Sequence, residues 1–144
     1  MNPSQMYELV LLALCNWREA RGESVDAKLA QAWTVRNRTL HPSWWGHDWV
    51  SVILKPFQYS SFNATDPNAS KMPGMEDTSW ADCLKVAEQV YNFTGPVYGD
   101  PGDPTAGSTH YFDKSLDLHP PVWATDGSMV HVTDIGSFRF YRRA

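Results

Sequence analysis

At 144 residues and 16.3 kDa the chain has the length of one domain around a single core. Its 42 % hydrophobic against 19 % charged residues exclude a disordered chain. Twelve Lys and Arg against sixteen Asp and Glu leave a net charge of −4, which argues against sequence-independent nucleic-acid binding.

The first helix is expected from Ser4, as N-cap after Pro3, to Ala20. It is apolar nearly all round from Val10 to Cys15, so it belongs in the core. Its uncharged run, Leu9 to Trp17, falls far short of the ~20 residues a bilayer needs, so no membrane insertion is expected. Glu8 precedes that run and no basic residue does, so it does not read as a secretory signal. A second helix follows from Ser24 to Leu40, with Val25, Leu29, Ala32, Trp33 and Arg36 along one stripe. A third, from Asp48 to Leu54, is stopped by Pro56. A polar loop over Asn63–Asp77 precedes a fourth helix, Thr78 to about Phe93, with Gly95 and Pro96 beyond its end.

After a Gly/Pro/Asp stretch, Gly95 to Gly107, the pattern turns strand-like: Thr109–Phe112, Val130–Val132 and Phe138–Tyr141. Helices first and a small antiparallel sheet last predict an α+β fold in one domain, 1–144. Two cysteines cannot build a disulfide framework, and Cys15 and Cys83 read as free buried thiols. The local basic cluster is Arg139, Arg142 and Arg143. Seven Trp, six Tyr and six Phe are a heavy aromatic load, enough for some rings to line a surface groove.

Leu12, Cys15 and Glu19 fall along one side of the first helix, at i, i+3 and i+7. Glu19 thus continues an apolar line past the core run. Apolar surroundings and the negative end of a helix both disfavour its anion and raise its pKa. A carboxyl still protonated near neutral pH can serve as a general acid. On spacing alone, pairing with Arg18, Arg21 or Arg36 at the surface stands beside that reading. Glu23, one turn on and beside Gly22, reads as solvated or paired with an arginine.

Asn16-Trp17-Arg18-Glu19-Ala20-Arg21-Gly22-Glu23 resembles the N-x-x-E-A-R-G-E signature of the SleB/CwlJ-type cell wall hydrolases, the spore-cortex-lytic family. Gln31 to Arg38 is similar to that family's second helix, which ends in V-x-N-R. Lys55 to Ser60 is similar to its Q-F-S element, and Asp103 to Phe112 to its D-P-T-G-G-A-x-x-Y-F segment. Ile135 to Tyr141 is similar to its closing I-G-x-H-x-F-Y, with Phe138 where a His is common. The loop of 63–77 reads as an elaboration with an effect on glycan binding.

The resemblance implies a lysozyme-like, transglycosylase-type domain acting on peptidoglycan glycan strands, with Glu19 as catalytic acid and no metal or organic cofactor. A lone domain of this kind, made in the cytoplasm and acting on the cell wall, would suit a phage endolysin released through a holin, and a monomer is expected. Hydrolysis usually needs a second carboxylate. Asp103 reads as a turn-former before Pro104, so a one-acid lytic transglycosylase is favoured over a muramidase. Gln58, Ser60 and Thr109 are candidates for hydrogen bonds to the N-acetyl group or to the developing charge. Tyr111 and Tyr141 could hold the sugar or Glu19. Trp123, with Trp44, Trp45 and Trp49, could stack on sugar faces; each of these residues also has a packing or turn role open to it.

Three rival readings remain. A zinc-dependent N-acetylmuramoyl-L-alanine amidase would draw ligands from His41, His47, His110, His119 and His131, none of which has metal-site spacing. A Cys–His peptidase would need an exposed thiolate, and Cys15 lies in an apolar run. A non-catalytic peptidoglycan-binding module is the third.

Overall fold

The computed structural model describes residues 1–56, 58–94 and 102–144. Helix α1 spans Pro3–Ala20 and opens with a reciprocal capping box. The Asn2 side chain accepts from Gln5 N, and Asn2 N donates to Gln5 Oε1, both at 2.9 Å. Asn2 is therefore the cap rather than Ser4, and Pro3 occupies the first helical position, where a missing N–H costs nothing. Only one side of α1 is buried: Leu11, Leu12, Ala13 and Cys15 lie in the core while Val10 is exposed.

Helix α2 spans Val25–Leu40 and is capped by Ser24, whose side chain accepts from Ala27 N. Its buried stripe begins at Ala27, not at Val25, which stands exposed in the first turn. Helix α3, Trp49–Leu54, is capped by Asp48 and Ser51. Helix α4, Thr78–Tyr91, is capped by Asp77 and ends earlier than expected, with Asn92 as its C-cap. Phe93 leaves the helix and packs edge-on against Trp33, ring centroids 4.9 Å apart. Gly95, Pro96 and the first part of the Gly/Pro stretch lie outside the described residues, as does Phe57.

The four helices enclose one apolar core built on Leu12, Cys15, Trp33, Val35, Val52, Ile53 and Val90. Cys15 and Cys83 are free and buried. The sheet is antiparallel, in the order β1 (His110–Asp113), β3 (Phe138–Arg143), β2 (Met129–Ile135), with a register shift between His131 and Thr133. A smaller cluster of Ala20, Ala27, Ala30, Phe138 and Phe140 joins the sheet to α1 and α2. Small residues on the helices let the sheet approach closely.

That approach explains two residues. Gly136, in the β2–β3 turn, has φ +57, and a Cβ there would meet Ala27 Cβ at 2.8 Å. Glu23 is half-buried and takes a partner the sequence reading did not include, Ser137 rather than an arginine. Its Oε1 accepts from Ser137 N at 2.8 Å and its Oε2 from Ser137 Oγ at 3.0 Å, pinning the turn to the start of α2.

Among the described residues no helix is long and apolar enough to cross a membrane.

Candidate active site

A groove of about 550 Å³ opens between the end of α1, Pro56 with Gln58, Tyr59 and Ser60, and strand β1. Glu19 stands in it, in the last turn of α1, and is the single carboxylate among its lining residues. None of the three arginines weighed as its partners neutralises it. Arg18 donates to Ser61 O, Ala69 O and Lys71 O. Arg21 lies over the Trp17 ring and reaches Asn68 Oδ1. Arg36 donates to Val90 O and Phe93 O. Burial first, with the charge of Asp66 adding, pushes the Glu19 carboxyl up to about 7; the Tyr111 hydrogen bond and Arg38 oppose the rise.

Tyr111 is held by a chain of buried amides. Asn16 Nδ2 donates to Lys28 O at 2.8 Å and to Gln31 Oε1 at 2.7 Å. That fixes the Gln31 amide, whose Nε2 donates to the Tyr111 hydroxyl at 3.3 Å. With its lone pair engaged by Gln31, the hydroxyl turns its proton toward Glu19. Burial raises the Tyr111 pKa well above the usual phenol range, so it stays a donor. Gln31 and Asn16 are fully buried. Sequence reasoning missed both as site residues, though Asn16 opens the signature and Gln31 opens the second motif; for Asn16, an amide one turn before the carboxyl was the available signal.

Arg38 is also part of the site. It is buried, donates from Nε to Thr109 O at 2.6 Å, and lies over the Trp45 and Tyr59 rings. His110 lines the groove among Trp44, Trp45 and Trp123. Burial first, then the charges of Arg38 and Arg143, push its pKa down to about 3, so it is a neutral imidazole at working pH.

Of the sequence candidates, Gln58, Ser60, Tyr111 and Trp123 line the groove with Glu19, as does the exposed indole of Trp44. Gln58 donates its amide to Trp45 O and Val52 O, so its nitrogen braces the groove wall. Thr109 is not brought there. It is buried, faces a different depression, and its Oγ1 lies 2.9 Å from His110 Nδ1. Tyr141 stands behind the groove, stacked on Phe112 and edge-on to Trp123. Trp45 is buried, donating to Arg38 O and His41 O, and Trp49 packs on Tyr91.

The outer wall, carrying Leu116, Pro121 and Trp123, is tied to the sheet by an ion pair between side chains. Arg139 holds Asp117 through Nε and Nη2 at 2.7 and 2.6 Å, and Asp134 through Nη1 at 2.7 Å. Asp103 has a structural role, as its place before Pro104 suggested. Its carboxylate accepts from Thr105 N and Oγ1, Gly107 N and Asn37 Nδ2, and it holds the loop that leads into β1. Among the described residues no group of three or more His, Cys, Asp or Glu is placed to hold a metal ion.

The family profile described as Cell Wall Hydrolase matches residues 22–141, a span that begins just after Glu19. The fold is similar to the crystal structure of the catalytic domain of the Bacillus cereus SleB protein, with a TM-score of 0.62 and 20 % identity. That likeness covers 94 % of this chain and 89 % of the other. Among curated proteins none matches the sequence significantly.

Proposed function

Because the chain belongs to the cell wall hydrolase family, we propose that it cleaves the β-1,4 bond between N-acetylmuramic acid and N-acetylglucosamine as a lytic transglycosylase. The observation that carries this reading is one carboxyl, Glu19, alone among the groove-lining residues and with its pKa pushed up to about 7. Near neutral pH a large share of Glu19 is protonated. It gives its proton to the glycosidic oxygen as the bond to the muramoyl C1 breaks. The Glu19 carboxylate then takes the proton of the muramoyl 6-hydroxyl, whose oxygen bonds to C1. Glu19 ends reprotonated, the product is a 1,6-anhydro ring, and no water is consumed.

Tyr111 steadies the carboxylate between those two proton transfers. Trp44 and Trp123 offer aromatic faces for sugar rings. His110, held neutral, would serve as a hydrogen-bonding wall rather than a competing acid. The substrate places the action in the wall; delivery from the cytoplasm through a phage holin is the proposed route, to be tested by lysis on co-expression with a holin.

The mass spectrum of soluble fragments from digested peptidoglycan tests the chemistry. Anhydro-muramic ends are expected. Hydrated reducing ends would overturn the transglycosylase outcome and favour hydrolysis. Asp66 would then be the first water-activating partner to examine, since its charge is felt at Glu19. Release of free stem peptides with intact glycan would instead support an amidase, and binding without soluble fragments a non-catalytic module.

A further inference from the structure

Strand β3 ends in Arg142 and Arg143, and both line a second depression, of about 610 Å³, together with His41, Ser43, Trp45 and Thr109. No Asp or Glu side chain lines it, in a chain whose net charge is −4. Arg139, in the same strand, shows the contrast: it is clasped by Asp117 and Asp134. Among the described residues the ion pairs belong to His47, His131 and Arg139, and neither Arg142 nor Arg143 enters one. Arg142 is fixed on one edge, donating from Nη1 to Ala106 O at 3.0 Å. The Arg143 guanidinium is set over the Trp45 indole, 5.6 Å from its centroid. Ala144 also lines the recess, but among the described residues neither arginine forms an ion pair with it. Two positioned forks with no Asp or Glu partner, beside an aromatic face, make a recess suited to an oxyanion.

The recess is a close neighbour of the catalytic groove. Trp45 and Thr109 face it, while the residues next to them in the chain, Trp44 and His110, line the groove. The Trp45 ring carries Arg143 from the recess and Arg38 from the groove, at 5.6 and 5.7 Å. The charge of Arg143 is felt across that wall at His110.

We propose that this depression is a subsite for a carboxylate of the peptide branch borne by muramic acid, with Arg142 and Arg143 as its cations. The proposal rests on the glycan-cleaving reading for the identity of the substrate. A strand seated against Glu19 carries acidic branches, and one of them would reach past the Trp44–His110 wall into the recess. Engagement there selects branched strands and fixes which sugar faces Glu19.

A binding measurement that needs no turnover tests it. The Trp45 indole N–H resonance of the protein is followed during titration with muramyl tripeptide. A saturable shift is expected in the wild type. It should weaken at least about tenfold in Arg142→Gln/Arg143→Gln, the loss of two charge-assisted contacts. It should weaken likewise for the tripeptide with its carboxylates amidated. Arg143→Gln alone, which leaves the Arg142 bond to Ala106 intact, guards against misfolding and should show part of the loss. No wild-type shift, or equal affinity for the amidated probe, overturns the proposal. Tighter binding of glycerol phosphate than of muramyl tripeptide overturns the peptide source in favour of a phosphate polymer. In digestion, the wild type should have a lower KM for stem-bearing than for stem-stripped glycan, and the double variant should lose that preference with kcat on stripped strands unchanged. A protein that binds the probe yet releases no glycan fragments would sink the cleavage reading and leave the subsite standing.

Discussion

Asp103 and Glu19 both hold carboxylates away from bulk water, and the loop of residues 102–109 treats the first quite differently from how the end of α1 treats the second. Asp103, 5 % exposed, accepts from four donors on Asn37, Thr105 and Gly107. Each oxygen lost water and gained two hydrogen bonds in return. Glu19 lost water and gained Tyr111, with Arg38 helping from a distance and Asp66 working against it. Burial with a full set of donors makes a structural anchor. Burial with too few makes an acid.

The largest test of that contrast is catalytic. Glu19→Gln keeps the shape and removes the transferable proton, so glycan cleavage should fall by about 10²–10⁴-fold or more while the fold persists. Fragment release at wild-type rate would break the comparison. Asp103→Ala should do the reverse, leaving the chemistry intact at low temperature but removing about 4 kcal/mol of stability, read by urea unfolding, because Asn37 and Gly107 lose their acceptor.

A third test uses Glu19 again, through stability. Its folded pKa, about 7, lies above the ordinary 4.5. Below pH 4.5 the group is protonated folded or unfolded and contributes nothing. As pH rises to 7 the unfolded chain gives up its proton first, and the folded state is disfavoured. Glu19→Gln should therefore match the wild type at pH 4 and be more stable at pH 8, by up to roughly 3 kcal/mol. Equal stability at pH 8 would mean that the carboxyl is better solvated than its surroundings indicate. A smaller effect is expected of Tyr111→Phe. Loss of that hydrogen bond raises the Glu19 pKa, so the fall of activity with rising pH should move upward from about 7, by up to about one unit. Gln31→Leu should move it the same way and less, because the hydroxyl remains but loses its orientation.

Much of this molecule was legible in the residues themselves. The cap Ser24, the start of α3 at Asp48, the stop at Pro56 and the alternation of β1 and β3 are local effects, acting within a turn or two, whereas the start of α1 and the end of α4 fell a few residues from where the sequence put them. The place of Glu19 at the end of an apolar helical line was also local, as was the turn chemistry of Asp103. Tertiary structure decided what no spacing could express. Whether Glu19 met an arginine or stood without one depended on where Arg18, Arg21 and Arg36 found carbonyl oxygens, on residues 40 or more positions away. Glu23 found Ser137 from across the chain, and Gln31 found Tyr111 in the same way. Thr109 and His110, adjacent in sequence, were parted onto two recesses by the alternation of strand side chains around the Trp45 wall. Helix and strand are properties of neighbours, but the charge state of a carboxyl is set by everything that folding packs around it.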